Sequence, residues 1–102
     1  MLDQAKHRRE FMRWVLMLAL YNARPIGAWE ELLLSVVQGV WPDATKHEVR
    51  LNLDYLLDRK LIELKKEPSG RWFGELNRYG VDMVEYNIDC EPGIARPEKY
   101  AV

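Results

Sequence analysis

The chain has 102 residues, 48% of them hydrophobic, which is enough for one domain with a core of its own and argues against general disorder. Fifteen Lys and Arg oppose sixteen Asp and Glu, a formal net charge of −1, so the chain lacks the basic excess typical of a nucleic-acid domain. A lone cysteine, Cys90, excludes an internal disulfide or a cysteine-rich zinc cluster and suits a reducing cytoplasm, and the longest apolar run, Trp14 to Tyr21, is too short for a membrane span of roughly 20 residues.

The charge is unevenly spread. Residues 1–24 carry five bases and two acids, and residues 44–71 carry seven bases and five acids. Residues 25–43 carry three acids and no base, and residues 72–102 carry three bases and six acids. The two modestly positive blocks coincide with the first helix and with a helix-plus-hairpin stretch.

In chain order, a first helix runs from Asp3 to about Asn22 and stops before Pro25. Phe11, Trp14, Val15, Leu18 and Tyr21 share one face, while Leu16, Met17 and Leu20 point elsewhere, so the second half is apolar nearly all round. Such a helix either runs through the middle of the domain or meets another subunit; Leu16 and Leu20 are the expected contacts of a homodimer. Pro25-Ile26 can form a short strand. A second helix spans Ala28 to Gln38, with Glu30 and Glu31 in its first turn, where the helix dipole favours acids. Gly39 followed by Val40 suits a Schellman end.

Thr45 opens a third helix, with Glu48 at the capping-box spacing. Val49, Leu53, Leu56 and Leu57 form its inward stripe; His47, Leu51, Asp54, Tyr55 and Asp58 face out, flanked by Lys46 and Arg50. Strands Leu61–Glu67 and Arg71–Leu76 enclose the turn Pro68-Ser69-Gly70. Asn77 caps a last helix to about Tyr86, with Val81 and Val84 inward. From Glu91 the chain reads as an extended tail whose Ile94 and Tyr100 can dock on a neighbour. The reading is therefore one domain over residues 1–90 and a tail over 91–102.

The fold expected is α+β, mainly α: a winged helix-turn-helix with a two- or three-stranded β wing. In that arrangement Lys46, His47 and Arg50 reach base edges in the major groove, with Arg50 suited to guanine, and Lys65, Lys66 and Arg71 at the hairpin touch phosphates or the minor groove. Outward Leu51 and Tyr55 favour a rival reading, a protein-interaction module on the same scaffold. No enzyme, cofactor or metal is expected. The two histidines, His7 and His47, and the two serines, Ser35 and Ser69, form no recognisable catalytic spacing, and the glycines form no phosphate loop.

With these elements placed, the chain resembles the small winged-helix proteins encoded by Mu-like phages and prophages. The similar residues are the apolar first helix before Ala-Arg-Pro-Ile-Gly, the V-x-L-x-L-x-x-L-L-x-x-K-L-I block from Val49 to Ile62, and the closing Leu-Asn-Arg-Tyr-Gly-Val-Asp-Met-Val-Glu-Tyr, together covering roughly residues 3–88. The resemblance implies a small phage-type regulator, transcriptional or accessory, whose partner is double-stranded DNA; the lone cysteine and the short apolar run add the expectation of a cytoplasmic protein with no membrane partner, and no small-molecule substrate is indicated.

Overall fold

In the computed structural model, which describes residues 3–99, four helices and a small sheet alternate along the chain. The order is α1 (Gln4–Asn22), β1 (Ala28–Trp29), α2 (Glu30–Gln38), α3 (Lys46–Asp58), β2 (Ile62–Lys66), β3 (Trp72–Leu76) and α4 (Arg78–Val84). About half of the chain is helical, and the sheet is antiparallel with strand order β1-β3-β2. The protein is thus a small α+β fold. The short strand expected at Pro25-Ile26 forms three residues later, where Ala28 pairs with Gly74 and Trp29 with Phe73.

α1 runs through the middle. Met12, Trp14, Leu16, Met17 and Leu20 are buried, and α1 packs against α2, α3, α4 and β3. Leu16 and Leu20, expected at a dimer contact, are fully enclosed by their own chain, so their apolarity needs no second subunit. Of the face that spacing favoured, Trp14 is buried, and Phe11, Val15, Leu18 and Tyr21 are half-buried and pack against the core from its flank. A helix apolar nearly all round gives periodicity little to choose between.

The side-chain caps at the helix starts form where expected. Asp3 accepts from the Lys6 amide, Thr45 from the Glu48 amide and Asn77 from the Gly80 amide. The capping box is only half made, because the Glu48 carboxylate turns to Arg8 instead. The helix ends follow a different rule from the one glycine suggests. Gly39 is right-handed, with φ −64°, and makes no Schellman turn. The two Schellman turns use Lys60 and Tyr86, at φ 62° and 63°. After α3 the Lys60 amide donates to Leu57 O and the Leu61 amide to Leu56 O; after α4 the Tyr86 amide donates to Met83 O and the Asn87 amide to Asp82 O. Buried Leu56 and Leu61 supply the apolar contact at the first.

The last helix sits close under the α3–β2 connection. Gly80 faces Leu61 O and Leu76 so tightly that a Cβ there would collide with both. The segment after α4 packs on the domain. Ile94 is buried, Ala95 donates its amide to Glu10 O, and Arg96 donates to Met83 O and Ile88 O. The expectation of Ile94 as a contact for a neighbour is corrected: it belongs to this chain's core. Tyr100 lies outside the described residues.

Candidate nucleic-acid interface

The stretch from Thr45 to Asn77 forms a helix, a reversal, and a five-by-five-residue hairpin. β2 and β3 pair from Ile62–Leu76 to Lys66–Trp72, and the turn Glu67-Pro68-Ser69-Gly70 closes them with the Gly70 amide on Glu67 O. Gly70 sits at φ +93°, the left-handed region where a side chain is disfavoured.

α3 is held from two sides. From α1, Arg8 donates to both Glu48 oxygens at 2.7 and 2.8 Å and to Asp43 at 3.0 Å. Arg13 donates to Asn52 Oδ1 at 3.0 Å and to Gly93 O at 2.9 Å, and its guanidinium lies 3.5 Å from the Tyr55 ring centre. Burial lowers the Arg13 pKa from its ordinary value. Asn52, buried, completes its contacts through Glu48 O and the Met12 sulfur. The positive charge of the first helix is therefore spent partly on fixing α3.

From α2 the support comes through Glu30, only 2% exposed. Its carboxylate accepts Arg50 Nε at 2.6 Å and Arg50 Nη2 at 2.7 Å, and also the Trp72 amide at 2.8 Å. Arg50 donates further to Gly70 O at the hairpin turn and stacks 4.6 Å from the Trp72 ring centre. One arginine thus ties α2, α3 and the hairpin together. The bonds to Arg50 hold the Glu30 carboxyl below the usual carboxylate range against the opposing effect of burial, and the Trp72 amide adds to the lowering.

The six basic residues expected to contact DNA fall into two groups. Arg50, Lys66 and Arg71 each have an acidic partner: Glu30, Asp54 at 3.1 Å and Glu31 at 2.8 Å. Arg71 also lies 4.0 Å from the Trp29 ring centre, and Lys66 lies 4.2 Å from that of Trp72. Lys46, His47 and Lys65 are exposed, and no side-chain hydrogen bond or ion pair engages them among the described residues. Lys65 and Lys66 do not gather on one side of the hairpin. Lys66 lies opposite Trp72, on the side of Arg50 and Asp54, and strand alternation turns Lys65, opposite Phe73, to the other face. Arg50 is not free to present its fork to guanine, because Nε and Nη2 are already engaged.

The family models, the curated proteins and the solved structures contain no match to this chain. Its residues therefore carry the functional argument alone.

The two outward residues expected at a protein interface separate. Leu51 is 57% exposed. Tyr55 is half-buried: its hydroxyl donates to Pro92 O at 2.8 Å, and its ring lies beneath Arg13. The segment after α4 has covered it, so it is not an open contact. Open apolar surface also lies between α1 and α2. There Val15, Leu18, Leu32 and Val36 line an open groove of about 340 Å³, with Leu32 57% and Val36 41% exposed. No three His, Cys, Asp or Glu side chains cluster to hold a metal ion among the described residues, and no described helix is long and apolar enough to cross a membrane.

The structural residues that sequence reasoning missed are Glu30, Glu31 and Trp72. The two acids read as ordinary first-turn residues of a helix, and their arginine partners lie 20 and 40 residues further along the chain. No local pattern signals such a pairing.

Proposed function

We propose that the chain is a winged helix-turn-helix protein that binds double-stranded DNA through the first turns of α3 and the edge of the β2–β3 hairpin. It acts without catalysis, as a phage- or prophage-type transcriptional regulator or accessory factor. Support comes from the element order, with α2 and α3 followed directly by a hairpin, and from the sheet order β1-β3-β2. The observation that carries the reading is Arg50, which links α3 to the hairpin turn and to Glu30. That bridge fixes a helix and a wing in one orientation, as a surface needs if it is to meet a groove and the adjacent backbone together.

The reading assigns different work to the six bases. Lys46 and His47 on α3, and Lys65 from the opposite face of the hairpin, are exposed to solvent and make the contacts to DNA, chiefly to phosphate. Arg50, Lys66 and Arg71 neutralise Glu30, Asp54 and Glu31, acids that would otherwise repel the backbone. Asp58 at the far end of α3 limits insertion to the helix's first half. The test is a low-salt mobility shift on a mixed-sequence duplex. Lys46→Glu with Lys65→Glu abolishes the shift, whereas Arg71→Gln leaves most of it. A shift that survives the double charge reversal contradicts the assignment.

A second reading, a protein-interaction module, is favoured by the open apolar groove between α1 and α2. A homodimer that uses this groove replaces the one expected at Leu16 and Leu20.

A further inference from the structure

A reader of base edges places outward side chains from the first two turns of its helix in the major groove. On α3 the candidates are Lys46, His47, Arg50 and Leu51, with Asp54 just beyond them. Two of these five are already engaged within the chain. Arg50 is bound to Glu30 and Gly70 O, and Asp54 accepts from Lys66. The remaining second-turn side chain is Leu51, one turn beyond His47 and 57% exposed.

Leucine has no donor or acceptor, so it cannot read the hydrogen-bonding pattern of a base pair. The one apolar feature that an ordinary base pair shows in the major groove is the C5-methyl group of thymine. The charge around Leu51 also suits a polyanion. Lys46 stands exposed in the preceding turn, and Asp54 in the following turn is neutralised by Lys66.

On the basis of the DNA-binding function above, we propose that Leu51 is a specificity residue that packs against thymine methyl groups in the major groove and biases the protein toward A·T-containing sites. Water is displaced from both the leucine and the methyl. Burial of one methyl-sized group changes affinity by about fourfold.

The test uses the full chain at low salt and two duplexes, each two helical turns long: alternating dA·dT, and the same duplex with deoxyuridine replacing thymidine. The two share their hydrogen-bonding groups in both grooves and differ in the methyl. The expected result is binding to dA·dT about three- to tenfold tighter than to dA·dU. Leu51→Ala binds both duplexes alike, near the level of the wild type on dA·dU. Leu51 is exposed, so the variant's thermal melting curve is expected to overlay the wild type's. Wild-type binding that is salt-dependent but equal on the two duplexes overturns the role of Leu51 and leaves the DNA-binding function standing. A methyl preference that persists in Leu51→Ala assigns the reading to another residue and also overturns the proposal. Absence of binding to either duplex overturns both the function and the inference.

Discussion

Arg50 and Glu30 meet through two side-by-side hydrogen bonds, Nε to Oε1 at 2.6 Å and Nη2 to Oε2 at 2.7 Å, with the carboxylate 2% exposed. The same carboxylate accepts the Trp72 amide, and the same guanidinium reaches Gly70 O. The pair is the junction of α2, α3 and the hairpin. A planar fork on a carboxylate gives direction as well as attraction, which a lysine in place of Arg50 would not supply.

This junction makes stability depend on acid pH. The folded-state pKa of Glu30 lies below its ordinary value of 4.5, chiefly because of Arg50. Its contribution is complete above the ordinary carboxylate range and is lost as the pH falls through the lowered folded value. Glu31 is shifted the same way by Arg71, but that pair is exposed and contributes little. Denaturant midpoints should fall below about pH 4.5, and Glu30→Gln should flatten that fall. At neutral pH, Glu30→Ala should cost about 3 kcal/mol, because it leaves a guanidinium and the Trp72 amide without their acceptor.

The segment after α4 is part of the fold. Ile94 is buried among core residues, and Pro92 O and Gly93 O accept from Tyr55 and Arg13. Ile94→Ala should destabilise the protein by about 2–4 kcal/mol in chemical denaturation. An unchanged midpoint would mean that the segment does not dock.

Lys60 occupies a left-handed position, φ 62°, at the end of α3. Glycine is better suited to that backbone, and the Schellman bonds to Leu57 O and Leu56 O use only main-chain amides. Lys60→Gly should raise stability by about 1 kcal/mol, measured by thermal or urea unfolding.

The groove between α1 and α2 leaves Leu32 and Val36 in solvent. Seven consecutive residues here, Leu32 to Gln38, carry no charge, so two copies can meet without like-charge repulsion. Light scattering at high protein concentration should give a mass above the 12.1 kDa of one chain, returning to it in Leu32→Glu with Val36→Glu. A wild-type mass of one chain at all concentrations would remove the homodimer.

Sequence pattern revealed most of this architecture because its signals are local. The Thr45 and Asn77 caps, the Pro68-Ser69-Gly70 turn and the inward Val49 and Leu53 each follow from a few neighbouring residues. It failed where the deciding contact is distant or where periodicity is weak. On α1 it could not rank the faces, because the helix is apolar on nearly every side: Trp14 of the favoured face is buried, and so are Leu16, Met17 and Leu20. Gly39 suggested a left-handed helix end, but Lys60 and Tyr86 adopt that conformation instead. The candidate site was legible as a list of basic residues and not as an arrangement. Arg50 looked like a reader of guanine until Glu30, 20 residues earlier, was seen to hold it, and the outward Tyr55 is covered by Pro92, 37 residues away.

The central claim is contact with DNA led by Lys46, His47 and Lys65, and the dependence of duplex affinity on salt tests it most directly. Each phosphate contact contributes about −0.9 to the slope of log affinity against log salt. The account predicts binding at low salt with a slope of about −2 to −3 per chain, reduced by about 1 in Lys65→Ala. No binding at low salt, or a slope that Lys65→Ala leaves unchanged, would contradict it.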